Sequence, residues 1–255
     1  MILAILETVK GTVTEASLET VTAARDLAQK TNDVVAALLM GKEVAPLKGV
    51  NTVLIAEDPR LEGYLPDALA AIAASAIQQK SPKIVLAPGT ETGNDLMARV
   101  AARLNLGLAT NCTEFFVEGG ALTRVTRSNW GGSLLEEVEV LSSPILLTLQ
   151  PHALAAQTAD GADPSIEKLS VTLGERELRV RMRELIPTEK KGISLTDAKV
   201  VIGGGRGMGS AEAFKMLEEL ASLLHNAAVG ATRVATNNGW RPHSDQIGQT
   251  GAQIA

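Results

Sequence analysis

Residues 84–104, IVLAPGTETGNDLMARVAARL, combine a short apolar run, a glycine-containing turn and an amphipathic stretch. The run at residues 84–87 predicts a buried strand that Pro88 and Gly89 close, and residues from about 96 to 104 predict a helix. The same order recurs through the first half of the chain. Further strands are predicted at residues 2–6, 34–39 and 52–56, and further helices at residues 15–30, with Thr14 as N-cap, and after Pro66. This alternation is typical of a βαβ unit, so we predict an N-terminal Rossmann-like α/β domain with a parallel sheet.

Beyond residue 108 the pattern indicates antiparallel additions to that sheet. Residues 115–118, 121–127 and 135–141 predict antiparallel strands joined by glycine-containing turns, and strands are also predicted at residues 145–149, 167–173 and 178–185. The last of these alternates Arg179, Arg181 and Arg183 with apolar residues, which predicts one basic strand face.

The polar stretch 187–194, PTEKKGIS, is the predicted domain boundary. A new strand at residues 199–203 and a helix from about 211 to 224 follow it. We therefore predict an N-terminal α/β domain at residues 1–187, a linker at 188–195 and an incomplete doubly wound domain at 196–255.

The composition excludes several classes of protein. Of 255 residues, 45% are hydrophobic and only 2% aromatic, and the formal net charge is -5, which excludes a base-stacking nucleic-acid binder. Cys112 is the only cysteine, so no intrachain disulfide forms, and three scattered histidines predict no metal site. No apolar stretch approaches the roughly 20 residues of a membrane-spanning helix, and no basic leader precedes the first strand. These features predict a cytoplasmic protein without membrane insertion.

A glycine-rich turn, VIGGGRGMGS at residues 201–210, carries the first chemical signal. Glycines allow a sharp turn after a strand and a close approach of the backbone to a ligand. The spacing fits neither the dinucleotide fingerprint nor a phosphate-binding loop that ends in Gly-Lys-Ser/Thr, so tight strand–helix packing explains the turn equally well.

Two later segments add polar groups to that signal. GATR at residues 230–233 follows a second predicted strand, and QIGQTG at residues 246–251 offers carboxamides, a hydroxyl and exposed backbone amides. These segments contain no nucleophile, acid–base pair or metal-ligand spacing. They suit the binding and electronic tuning of a polar heterocycle better than bond cleavage.

The order GGRG, GATR and QIGQTG resembles the opening of the flavin domain in the alpha subunit of electron transfer flavoproteins. The resemblance extends over the N-terminal part through the runs TETGNDL and RLNLGLATNCT, and so covers essentially the whole chain. It implies that Arg206 lies close to an FAD, that Thr232 and Arg233 contact the isoalloxazine, and that Arg233 favours negative charge on its N1 side. It also implies contacts near N5 and the pyrimidine edge, from Gln246, Ile247, Gly248, Gln249 and Thr250.

By the same resemblance, the chain is an electron-carrier subunit without substrate turnover of its own. It would bind FAD together with a beta subunit, which in this family can hold AMP. It would carry electrons from flavin dehydrogenases, such as acyl-CoA dehydrogenases, to a quinone reductase or another acceptor. The family continues beyond GQTG with segments that hold the FAD diphosphate and adenosine. We therefore expect a C-terminally truncated chain whose FAD binding is weak or lost.

Two alternatives remain open from the residues alone. A nucleotide-binding α/β enzyme acting on adenylates would use the N-terminal sheet, although no phosphate loop or catalytic pair is evident there. A non-catalytic assembly module would use the same domain only to dock a beta subunit.

Overall fold

The computed structural model describes residues 1–9, 11–41, 47–61, 63–157, 162–184, 193–195, 198–248, 250–252 and 254. The chain divides into two compact units. The first comprises Met1–Asn129 and Leu135–Leu185, and the second comprises Trp130–Leu134 and Ile186–Ala255. Parallel strands and helices build the chain, which confirms the predicted α/β class.

The strands up to residue 168 are β1 (Ile2–Ile5), β2 (Thr8–Val9), β3 (Thr12–Val13), β4 (Val35–Met40), β5 (Thr52–Ala56), β6 (Ile84–Pro88), β7 (Leu108–Glu118), β8 (Ala121–Asn129), β9 (Leu134–Val138), β10 (Ile145–Leu149) and β11 (Ser165–Lys168). The helices over the same stretch are α1 (Glu15–Thr31), α2 (Pro66–Lys80) and α3 (Glu91–Leu104). Most of the predicted strands are therefore present, with boundaries displaced by a few residues.

Nine of these strands form one sheet in the order β11-β5-β4-β1-β6-β10-β7-β8-β9. Ile2 pairs in parallel with Val35 and with Ile84, so β1 lies in the middle between β4 and β6. β8 runs antiparallel to β7, as predicted for this part of the chain. α1 covers one face of the sheet, and α2 and α3 cover the other, which gives an apolar core on each side.

Threonine caps determine where two of the helices begin. The Thr14 hydroxyl accepts a hydrogen bond from the Ser17 backbone N–H at 3.3 Å, which confirms the predicted N-cap of α1. The Thr90 hydroxyl accepts from the Gly93 N–H at 2.9 Å. This second cap starts α3 at Glu91, five residues before the predicted start, because it satisfies an N–H group of the first turn.

The predicted strand at residues 178–185 is wrong over its described part. Residues 178–184 form turns and irregular backbone. The Met182 N–H donates to the Tyr64 carbonyl at 2.9 Å, which holds this segment beside the start of α2 and outside the sheet. The alternation of arginine with apolar residues therefore does not mark a strand face here.

The second unit contains β12 (Val200–Gly204), α4 (Phe214–Ser222), β13 (Ala227–Ala231) and the short α5 (Arg233–Asn237). β12 and β13 are parallel, with Val200 opposite Ala227. Phe214, 1% exposed, packs against Ala231 and Ala235. The opposite face of α4 leaves the large apolar side chains of Met216 and Leu220 exposed, and Leu223, just after the helix, is exposed as well. In the part of the chain that the structure describes, no helix is long and apolar enough to span a bilayer.

Candidate functional site

The glycine-rich turn begins where β12 ends. A Cβ atom at Gly204 would lie 2.5 Å from Cε1 of Phe214, so glycine is needed for α4 to pack against the strand. The 3₁₀ turn Arg206–Met208 follows, and Gly207 and Gly209 have no atom within 4 Å of a Cβ position. Arg206 is exposed, and its guanidinium forms no ion pair with a residue that the structure describes. The turn thus presents accessible backbone and a cation that has no ion-pair partner among the described residues.

The end of β13 lies beside this turn because the two strands are parallel. The Thr232 N–H donates to the Gly204 carbonyl at 2.9 Å, and a Cβ atom at Gly205 would lie 3.2 Å from Cγ2 of Thr232. Thr232 occupies the N-cap position of α5, and both Thr232 and Arg233 are exposed. They lie at the carboxyl end of the strand, which is the sheet edge where α/β proteins bind their ligands.

The segment around residues 246–252 runs along the other side of β13. The Ile247 N–H donates to the Ala231 carbonyl at 2.9 Å, and the Ala252 N–H donates to the Gln246 carbonyl at 2.6 Å. Gly248 turns the backbone with a φ of 101°, which favours glycine. This segment is therefore a tight loop whose start is fixed to the strand.

Four polar side chains from α5 and this loop form one cluster, which we call the Thr250 cluster: Arg233, Thr236, Gln246 and Thr250. Arg233 donates to the Thr250 hydroxyl oxygen from Nε at 3.1 Å and also from Nη2. The Gln246 Nε2 donates to the same oxygen at 2.8 Å, and the Thr236 hydroxyl donates to the Gln246 Oε1 at 2.9 Å. Gln246 and Thr236 are 7% and 3% exposed, so the cluster has a buried base and an exposed top.

The structure brings several of the predicted FAD-contacting residues together. Thr232, Arg233, Gln246, Gly248 and Thr250 lie around the end of β13. Arg206 lies on the turn after the neighbouring strand, and Gln249 lies outside the described residues.

Ile247 belongs to the same loop, but its side chain packs inward. A Cβ atom at Gly230 would lie 2.7 Å from its Cγ2 atom, so Ile247 fills the space that this glycine leaves. Its backbone N–H is also used within the chain, because it donates to the Ala231 carbonyl.

Sequence reasoning missed Thr236. Its signal is its position three residues after Arg233 in α5, which puts both residues on one side of the helix next to the loop that carries Gln246.

The chemistry of this site is that of binding rather than of bond cleavage. It supplies exposed cations, a hydroxyl and accessible backbone, which fit a polar, partly anionic heterocycle such as an isoalloxazine. Beyond the turn, a hydrogen bond from its own backbone N–H and one from the Ser210 hydroxyl lower the pKa of Glu212. Among the described residues, no group of His, Cys, Asp or Glu side chains is arranged to hold a metal ion.

A second possible ligand position exists in the first unit, where the strand order reverses between β1 and β6. Glu7, directly after β1, fills it. Its Oε1 accepts hydrogen bonds from the hydroxyls of Thr90 at 2.6 Å and Thr92 at 2.7 Å, at the start of α3. A carboxylate of the chain itself therefore occupies the place where a phosphate group would have to approach.

Comparison with known proteins gives consistent matches over both units. Residues 2–173 match the family model described as the electron transfer flavoprotein domain, and residues 194–255 match the electron transfer flavoprotein FAD-binding domain.

Individual relatives agree with these matches. Protein FixB of Clostridium saccharobutylicum is 34% identical over 253 residues, which cover 96% of this chain and 75% of that protein. The electron transfer flavoprotein subunit alpha of Megasphaera elsdenii is 34% identical over 261 residues, covering 98% of this chain and 77% of that protein. The subunit alpha of Bacillus subtilis is 36% identical over 207 residues, or 81% of this chain and 62% of that protein.

Proposed function

The chain belongs to the electron transfer flavoprotein alpha subunit family, and from this premise we propose that it binds FAD at the Thr250 cluster and the neighbouring turn after β12. The observation that supports this proposal is the convergence of Arg233, Gln246 and Thr250 at the carboxyl end of β13. The bound flavin supplies the reversible redox chemistry, while the chain supplies orientation and charge.

The proposed roles of the residues follow from their exposure. Arg233 is exposed and fixed by Thr250, so its positive charge stays in place and favours electron density on the N1 and C2-carbonyl side of the ring. Thr250 points its hydroxyl toward the N5 and pyrimidine edge. Thr232, Arg206 and the backbone of Gly248 hold the ring plane. Gln246 supports Thr250 from below.

We further propose a division of labour between the two parts of the chain. The N-terminal domain, residues 1–187, docks a beta subunit, which can hold AMP. A linker at residues 188–195 joins it to residues 196–255, which carry the FAD site. The complex accepts electrons from flavin dehydrogenases such as acyl-CoA dehydrogenases, and passes them to a quinone reductase or another acceptor in the cytoplasm. The chain turns over no substrate of its own.

The position of Glu7 disfavours the alternative of an adenylate-specific enzyme. Its carboxylate already accepts the hydroxyl donors that a phosphate would need, and its negative charge repels one. Gly89 packs closely against the next strand, because a Cβ atom there would lie 2.6 Å from the Leu149 carbonyl oxygen. A carrier that binds its cofactor in the second unit does not require an open crevice in the first.

The proposal is tested by purifying the chain together with a beta subunit in the presence of FAD, followed by gel filtration with a visible spectrum. Flavin absorbance that migrates with the heterodimer supports the carrier function. A heterodimer without flavin would agree with the weak or lost FAD binding expected from the sequence and would support an assembly role. ATP binding by the chain without heterodimer formation would support the adenylate enzyme.

Arg233→Ala localises the flavin site within that experiment. Loss of a charge-assisted contact of about 1.5–3 kcal/mol predicts FAD affinity reduced about 10- to 150-fold. Lys215→Ala, an exposed cation on α4, is the matched control and leaves FAD affinity unchanged. Equal affinities of the Arg233→Ala and Lys215→Ala proteins would place the flavin elsewhere.

A further inference from the structure

Neighbouring side chains of the same chain donate hydrogen bonds to the Thr250 hydroxyl oxygen and occupy its lone pairs. A hydroxyl oxygen has two lone pairs and one hydrogen. One neighbour, the Arg233 guanidinium, donates to this oxygen, and the other, the Gln246 carboxamide, donates at 2.8 Å. The hydroxyl hydrogen is then directed away from both, toward the exposed side of the cluster.

This arrangement depends on the orientation of the Gln246 carboxamide. If its two ends were exchanged, Oε1 would face Thr250 and would take the hydroxyl hydrogen for itself. Thr250 would then donate inward and have no hydrogen for a ligand. The direction of one buried amide thus decides whether Thr250 is a donor toward the site.

Thr236 contacts the other end of this carboxamide. Its hydroxyl lies 2.9 Å from Gln246 Oε1 and 3.1 Å from the Arg233 carbonyl oxygen. With the hydrogen on the shorter contact, Oε1 is held inward and Nε2 outward. Because Gln246 is 7% exposed and Thr236 is 3% exposed, water has little access to replace this contact.

We propose that Thr236 is a positioning residue that acts through Gln246 to make Thr250 a hydrogen-bond donor to the bound cofactor. This inference rests on the proposed FAD site. It assigns a defined partner to Thr250, namely a ring atom with a free lone pair. A protonated ring nitrogen at the same place would meet a second donor and be disfavoured. Thr236 therefore tunes the preference of the site for the oxidised ring without contacting the flavin.

The first test uses the flavin-free chain and its side-chain amide NMR signals. In the wild type, the Gln246 Nε2 hydrogens are expected to show nuclear Overhauser contacts to Thr250 and slow exchange with water. Contacts from the same hydrogens to Thr236 would show the opposite orientation and overturn the proposal. This readout needs no cofactor, so it stands even if the flavin site itself lies elsewhere.

The second test compares Thr236→Val with Thr236→Ser. Valine keeps the size of threonine and removes the hydroxyl, so we expect at least tenfold faster exchange of the Gln246 amide, while serine retains the wild-type rate. In the FAD-loaded complex, Thr236→Val is expected to weaken oxidised FAD binding about tenfold. The loss acts on the oxidised ring, so the two-electron potential rises by about 30 mV, which is the equivalent of tenfold.

Rescue by serine separates positioning from general destabilisation. Equal thermal midpoints of Thr236→Val and Thr236→Ser show that packing is retained. If the midpoint of Thr236→Val differs, Thr236→Ala is used in its place. Unchanged amide exchange in both Thr236→Val and Thr236→Ala would overturn the positioning role. Altered exchange with an unchanged potential would overturn its action on the cofactor. A wild-type complex that takes up no FAD fails the proposed function instead.

Discussion

Two glycine-containing turns of this chain have similar sequences and opposite surroundings. Residues 88–93, PGTETG, follow β6, and residues 204–209, GGRGMG, follow β12. In the first, which we call the closed turn, a Cβ atom at Gly93 would lie 1.9 Å from the Pro88 carbonyl oxygen. In the second, the open turn, Gly207 and Gly209 have no atom within 4 Å of that position.

The difference shows that a glycine pattern after a strand has two physical meanings. In the closed turn glycine permits close packing of a helix against the sheet, and the carboxylate of Glu7 occupies the remaining polar space. In the open turn, the later glycines, Gly207 and Gly209, leave the backbone accessible beside Arg206. Only the neighbours, and not the glycines themselves, distinguish a packed turn from a binding turn.

The largest expected effect is that of Gly93→Ala in the closed turn. The new methyl group would overlap a backbone oxygen that has no room to move, so we expect a loss of about 3 kcal/mol in the free energy of unfolding of the first unit. Gly207→Ala in the open turn is the comparison variant, and it should change the free energy of unfolding of the second unit by less than about 0.5 kcal/mol. Urea denaturation followed by circular dichroism measures both, and similar losses would remove the distinction between the turns.

A smaller effect is expected for Glu7→Ala. The hydroxyls of Thr90 and Thr92 would lose a charged acceptor, which predicts a loss of about 1–2 kcal/mol in unfolding free energy. Glu7→Gln retains a carbonyl oxygen at the same place and is expected to lose less. The closed turn would not depend on its carboxylate if both variants had the stability of the wild type in urea titrations.

The smallest effect concerns Glu212, just beyond the open turn. Its hydrogen bonds from its own N–H and from Ser210 lower its pKa from 4.5. The ionised carboxylate therefore stabilises the folded chain above pH 4.5, and this contribution is lost as the pH falls through the lowered pKa. Thermal midpoints of the wild type and Glu212→Gln should differ slightly at neutral pH and converge in acid. Ser210→Ala removes one of these hydrogen bonds and should change the thermal midpoint at neutral pH in the same direction as Glu212→Gln. A midpoint difference between wild type and variant that grows on acidification would contradict this account.

The sequence predicted the central part of the sheet well because its strands are uniformly apolar. β1, β4, β5 and β6 are buried on both faces, so their continuous runs of Ala, Val, Leu and Ile identify them without knowledge of their neighbours. α1 was predictable for a different reason, since its apolar stripe and its cap at Thr14 agree.

The failures occur where long-range contacts override the local pattern. Residues 178–184 alternate as a strand does, but no sheet edge receives them, and the Tyr64 carbonyl holds Met182 instead. Residues 167–173 yielded only the end of a strand, because β5 pairs with Ser165–Lys168.

The candidate site was predictable as a set of residues and not as a hydrogen-bonded arrangement. The motifs indicate that Arg233, Gln246 and Thr250 belong together, but the order of donors and acceptors among them depends on Thr236. That residue carries no motif, and its contribution arises only when α5 and the loop are packed together.

The edge strand β11 has a consequence for the synthesis of this chain. It pairs with β5 although Thr52 and Ser165 lie 113 residues apart. A ribosome that adds about 5–20 residues per second needs roughly 6 to 23 seconds to produce the outer neighbour of β5. During that interval the outer edge of β5 presents free N–H and C=O groups to other nascent chains. The outer edge of β5 is therefore covered only after all the other strands of the sheet have been made, although β5 itself is made early. Slower translation prolongs the exposure of that edge.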